Sequence, residues 1–199
     1  MSARRPAGAQ RRRLALVATA LLAAVGLFTV GVNALYTDTA TVPANTFTTG
    51  DLDLTASPAS AAIVYSGMIP GDTVTQPLTV ANTGSAALRY AMQSTTTENV
   101  LAAQLDLTVK VGVSSCTTAG FDASGTLLYG PGDLGATAAM AVFGSSAQGA
   151  QAGDRTLSSG ATETLCLRVQ LPLSSSNSFQ GTSTTATFSM VAEQTANNP

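Results

Sequence analysis

In the segment "LDLTVKVGV", Leu105, Leu107, Val109, Val111 and Val113 occupy alternate positions, so an extended chain places all five on one face. A helix would scatter them around its axis. The same period of two recurs over Thr46–Thr55, Ala62–Tyr65, Val74–Ala81, Leu88–Ser94, Thr126–Tyr129, Ala139–Phe143, Glu163–Leu171 and Ser183–Glu193, and these segments are read as strands together with Leu105–Val113. Two of them separate their faces clearly. Leu88, Tyr90 and Met92 oppose Arg89 and Gln93, while Ala186, Phe188 and Met190 oppose Thr187 and Ser189. One dry and one wet face per strand predicts an all-β, antiparallel, jelly-roll-like sandwich of two sheets. Helical periodicity is scarce, and the one helix expected is a short turn within Thr97–Gln104, where Asn99, Val100, Leu101 and Leu105 lie.

Turn chemistry falls between the strands. Pro70-Gly71, followed by Asp72, suits the central positions of a type II turn, because Pro presets the first φ and Gly accepts the positive second one. Asn82-Thr83-Gly84 supplies residues tolerant of positive φ. From about 117 to 162 the composition shifts to Gly, Ala, Ser and Thr. That stretch reads as loops around two short strands, an insertion into the sandwich.

The first 34 residues have a different character. Arg4, Arg5, Arg11, Arg12 and Arg13 precede an uninterrupted, weakly apolar run from Leu14 to Val32, and Val32-Asn33-Ala34 follows as a small-residue cleavage pattern. This is the order of an export signal, with cleavage expected between Ala34 and Leu35. A permanent membrane anchor is the alternative, since the run is long enough to cross a bilayer. The arginine pair in "SARRPAG" lacks the apolar continuation of a twin-Arg signal, so it reads as simple n-region charge. The expected organisation is a removed signal at 1–34, an N-terminal segment at 35–48, a sandwich at 49–194 and a flexible tail at 195–199. Membrane contact is then confined to the precursor, and the product is expected outside the cell.

Removal of the head also removes five of the nine basic residues, leaving four against eleven acidic ones and a charge of −7. Nucleic acid is not an expected partner, because phosphate neutralisation needs a basic stripe. The exported part holds Cys116 and Cys166, where the redox environment permits a disulfide. Strand parity places both off the apolar faces: Cys166 alternates with Leu165, Leu167, Val169 and Leu171, and an extended continuation puts Cys116 opposite Leu105–Val113. Two unpaired thiols are the alternative reading.

No catalytic constellation emerges. The chain has no His, which removes His-based acid–base catalysis and His-ligated zinc. Asp51 and Asp53 have calcium-like spacing, yet no glycine-turned loop with a closing Glu follows, so they read as solvated, like Asp38, Asp72, Asp122, Asp133 and Asp154. A Ser-Lys hydrolase would depend on Lys110, the only lysine, and its alternation with apolar residues predicts a solvent-facing strand lysine. The glycines are scattered, so no phosphate loop is expected either. No catalytic, cofactor or metal residue is assigned.

Three segments nevertheless occur in a familiar order. "LYTDTATVPANTFTTGDLDL" (35–54) resembles the mature start of the TasA/camelysin family, "MIPGDTVTQPLTVANTGSAALRY" (68–90) resembles its P-G-D turn, strand and N-T-G-S turn, and "NSFQGTSTTATFSMVAEQ" (177–194) resembles its closing Asn-x-aromatic-Gln-Gly element, which implies a turn at Gln180-Gly181, and its last strand. The resemblance implies a jelly roll exported through a dedicated SipW-type signal peptidase, which forms extracellular filaments of a biofilm matrix. It implies that an N-terminal strand of one subunit completes the sheet of the next. Here Tyr36, Thr37, Asp38, Thr39, Ala40, Thr41 and Val42 form a strand-like segment just after the cleavage point and before the breaker Pro43. Donated to an open sheet edge, they would satisfy unpaired N–H and C=O groups by main-chain bonds. The alternative is that they pack on their own domain or stay disordered. The other implied activity is camelysin's metal-dependent casein cleavage, although the chain has no H-E-x-x-H. A minor accessory subunit or monomeric adhesin is the third reading.

Overall fold

A computed structural model of the chain describes residues 50–58 and 67–198, all within the unit Thr48–Pro199. The strands are β1 (Leu54–Ser57), β2 (Thr73–Asn82), β3 (Leu88–Thr96), β4 (Asp106–Val111), β5 (Thr126–Asp133), β6 (Met140–Phe143), β7 (Arg155–Leu157), β8 (Thr162–Gln170) and β9 (Ala186–Gln194), with helices α1 (Val100–Gln104) and α2 (Thr118–Ala123) and a 3-10 turn at Asn177–Phe179. The export signal expected at 1–34, the stretch 35–49 and the strand expected at Ala62–Tyr65 lie outside the described residues. Among the described residues no helix is long and apolar enough to cross a membrane.

The strands form two antiparallel sheets. One has the order β1-β2-β8-β4-β5; in the other, β3 is central, with β9 along one side and β6 and β7 along the other. The chain passes between the sheets after β2, β3, β5, β7 and β8, so each inner face is laid against the other sheet. The alternating residues meet there: Leu78 and Val80 of β2, Leu88, Tyr90 and Met92 of β3, Leu107 and Val109 of β4, and Leu165, Leu167 and Val169 of β8 are all buried. Each such side chain contributes roughly 1.5–3 kcal/mol relative to exposure, which is the main term holding the sheets together. This is the all-β sandwich expected from the period of two.

Several local readings are corrected by what covers the outer faces. Arg89 is buried rather than wet, because its guanidinium pairs with Glu193 of β9 and also donates to the Asn198 carbonyl. Ala91 on the same face is buried beneath the loop that carries Gly144. Cys166 is off the inner face, as parity predicts, yet it too is buried, covered by the Ser114–Ser124 segment to which its disulfide with Cys116 is tied. Lys110 does not face solvent freely: its Nζ donates to the Phe121 carbonyl at 2.7 Å and lies 4.7 Å from the Phe121 ring centroid. Between 117 and 162 the chain builds α2, β5, β6 and β7, where the sequence suggests loops around two strands. β5 is an edge of the five-stranded sheet, and β6 and β7 complete one side of β3.

The turns also differ in detail. Gly71 has φ +99° and the Asp72 N–H donates to the Ile69 carbonyl at 2.9 Å, the arrangement predicted for Pro70-Gly71. Asn82 and Gly84 do not use positive φ. The buried Asn82 amide instead donates to the carbonyls of Ala86 (2.8 Å) and Leu157 (3.1 Å), and its Oδ1 accepts from the Gly84 N–H. Gly84 is needed for space: a Cβ there would lie 2.5 Å from the Asp51 carbonyl oxygen and 2.6 Å from the Asp53 nitrogen. The Thr83 N–H completes this clamp by donating to the Asp53 carbonyl. At Gln180-Gly181, Gly181 takes φ +74° and the Thr182 N–H donates to the Phe179 carbonyl.

Candidate functional site

The segment Leu134–Thr137 locates the two flanks of the sandwich. It leads from β5 towards β6 and runs beside β3, where the Thr96 N–H donates to the Ala136 carbonyl at 2.8 Å and Ser94 Oγ donates to the Leu134 carbonyl at 2.7 Å. β5 and β6 therefore share one flank. β1, at the far end of the five-stranded sheet, and β9, on the other side of β3, fall on the opposite flank.

That second flank has the features of an acceptor. Among the described residues β9 pairs with β3 alone, over its whole length from Ala186↔Thr96 to Gln194↔Leu88, so its outer edge carries no strand. The inward residues Ala186, Phe188, Met190 and Ala192 reach the core but are only half-buried, as are Leu54 and Ala56 of β1. Corresponding positions on the central strands are sealed. An edge with unpaired backbone groups above a partly uncovered apolar row favours the addition of another strand, through main-chain bonds along the edge and side chains into the row.

The sequence-predicted residues separate into three groups. The cleavage pair Ala34 and Leu35 and the donor segment, Tyr36, Thr37, Asp38, Thr39, Ala40, Thr41 and Val42, lie outside the described residues. Pro70, Gly71 and Asp72 come together with Gln180 at one end of the sandwich, against Leu171 and Phe179. Asn82, Thr83 and Gly84 organise the other end, where they hold Asp51 and Asp53. Periodicity predicts the strand at Ser183–Glu193 but not that it forms an edge, because alternation does not say which strand ends a sheet.

The described residues do not fit a metal centre of the kind a metal-dependent peptidase needs. No group of three or more His, Cys, Asp or Glu converges among them, and both cysteines are joined to each other. Several carboxylates are engaged within the fold. Glu163 accepts from Arg155 and from the Tyr90 hydroxyl, Asp122 from Arg168, and Asp154 from the Ser145 and Gln151 N–H groups. Glu98 takes the Val100, Leu101 and Ala102 N–H groups at the start of α1. Asp53 accepts from the Thr83 hydroxyl at 2.7 Å.

No curated protein matches the chain. The family model for camelysin metallo-endopeptidase matches residues 10–112, a span that runs from the arginine-rich head through β1, β2, β3 and β4 and includes both the P-G-D turn and the Asn82-Thr83-Gly84 clamp. It covers just over half of the sequence, and with that extent the chain belongs to the camelysin metallo-endopeptidase family.

Proposed function

We propose that the chain is an exported structural protein that polymerises by strand donation, residues Tyr36–Val42 of one copy adding to the outer edge of β9 in the next. The observation that carries this is the flank between β1 and β9, where the outer edge of β9, unpaired among the described residues, lies beside the half-buried Phe188 and Met190. The donor has matching properties: a short alternating segment, free to extend once the export signal is cut after Ala34, and stopped by Pro43. Donation from one copy to the next does not close on itself, so it builds a filament. The Cys116–Cys166 disulfide agrees with an oxidising destination outside the cell. The partners in this reading are a signal peptidase during export and then other copies of the same chain, in an extracellular matrix or at the cell surface.

Deleting Leu35–Val42 from the secreted protein is expected to abolish filaments in electron micrographs and leave a monomer by sedimentation. Filaments of normal appearance from the deleted protein would refute strand donation. The family's description carries a second reading, peptidase activity. Casein cleavage by the purified protein, lost on chelation, would favour it over a purely structural role. An accessory subunit is distinguished by failing to polymerise alone while adding to filaments of a related protein.

A further inference from the structure

The two ends of the sandwich differ in a way that bears on how copies stack. The end where β2 starts and β8 and β3 finish exposes large apolar side chains: Ile69 is 65%, Val100 73% and Leu173 81% exposed. Ile69 and Val100 are gathered around Phe179, which lines the hollow shared with Ile69 and Pro70 as well as the one shared with Val100 and Leu101. Leu173 lies against Gly71, within 2.9 Å of where a Cβ would sit. At the opposite end, Gly50–Asp53 rests on the turn Thr83–Ala86 and presents Leu52, which is 42% exposed.

We infer that the apolar end built by Ile69, Leu173, Val100 and Phe179 is a contact surface for a second copy of this chain, and that it receives the Leu52-bearing end of that copy. This rests on the strand donation proposed above. Every strand pair in both sheets is antiparallel, so a donated strand that follows the pattern runs against β9. It enters beside Gln194 and leaves beside Ala186, at the apolar end, because Ala186 pairs with Thr96. From Val42 the donor chain must reach its own Gly50, a span of under roughly 30 Å even when fully extended. The tether holds the donor's Gly50, a surface residue, within that distance of the point where its strand leaves the acceptor. Its Gly50–Asp53 end is therefore kept close to the apolar end, within reach of it.

Charge points to the same kind of partner. The cations among the described residues are all engaged within the chain: Arg89 with Glu193, Arg155 with Glu163, Arg168 with Asp122, and Lys110 with the Phe121 carbonyl. An acidic chain with its cations so engaged has little to offer an anionic membrane or a nucleic acid. Burial of neutral apolar surface is the available attraction between copies.

The test uses Ile69→Ser with Leu173→Ser, both at exposed positions where folding should be unaffected, and a synthetic peptide of residues 35–48. In a background lacking Leu35–Val42, the double variant is expected to bind the peptide as the parent does. In the secreted chain it is expected to raise the critical concentration for polymerisation by about tenfold or more. An unchanged critical concentration with normal peptide binding overturns the end contact and leaves strand donation standing. Failure of the peptide to bind even the parent overturns strand donation, and the end contact with it.

Discussion

Replacing Cys116 and Cys166 together, by serine and alanine, is expected to lower the unfolding free energy by about 4 kcal/mol, the chain-entropy value for closing a loop whose ends are 50 residues apart. Against a typical total of roughly 5–15 kcal/mol that is a large share. The loop contains α2, β5, β6 and β7, so the cross-link restrains the unfolded chain across parts of both sheets. The local consequence should be narrower. α2 is also held by Phe121, whose ring lies 4.0 Å from the Arg168 guanidinium carbon, and by the Arg168–Asp122 ion pair at 2.6 Å. The midpoint in urea is expected to fall with an unchanged slope, and hydrogen exchange is expected to rise first at the Phe121 and Ser124 amides. An unaltered midpoint would mean that the bridge contributes nothing beyond these contacts.

Glu163→Ala is expected to cost about 3 kcal/mol or more, because it removes the acceptor around which a mostly buried network is built. Glu163 of β8 accepts from Arg155 of β7 through both carboxylate oxygens, at 2.6 and 2.9 Å, and from the Tyr90 hydroxyl of β3 at 2.6 Å. The network therefore joins the two sheets. Its loss leaves the Arg155 side chain, which is only 27% exposed, without its counter-charge, and a buried phenol without an acceptor. Urea denaturation should show a destabilisation well beyond the 1 kcal/mol or less that an exposed ion pair gives. A value in that lower range would place the network in effective contact with solvent.

The same residues set the expected response to pH. Burial and the hydrogen bond to Glu163 push the Tyr90 hydroxyl well above the usual phenol range. The folded state thus holds that proton more tightly than the unfolded one, and stability is retained below about pH 10 and lost as pH rises past it. On the acid side, the hydrogen bond from Arg168 holds Asp122 below the usual carboxylate range, and that from Arg89 does the same for Glu193. Their contribution is present above about pH 4 and is lost as pH falls below it. Thermal midpoints across the pH range should form a plateau bounded by these two declines.

Much of this molecule was legible from alternation, because the core depends on it. Leu105, Leu107 and Val109 are buried together as their spacing predicts, and Leu88, Tyr90 and Met92 face them from the other sheet. The Pro70-Gly71 turn was legible for a similar reason, since only certain residues tolerate its backbone angles. What escaped was whatever covers an outer face. Arg89 and Cys166 stand at positions that read as wet, yet both are buried by segments distant in sequence, the Glu193 and Asn198 region in one case and the Cys116 loop in the other. β7 and α2 escaped because three and six residues are too few to establish a period.

The sequence alone therefore determined the class of fold, two sheets with one dry face each, and the pairing of its two cysteines as the better of two readings, because both follow from the parity of an extended chain. Tertiary structure alone decided which strand is left at an edge. Strand order arises from contacts between segments far apart in the chain, and no local pattern records that, among the described residues, β9 pairs on one side only. It also decided that the two apolar clusters around Phe179 meet at one end, since Ile69, Val100 and Leu173 come from three separate connections brought together by the packing of the sheets.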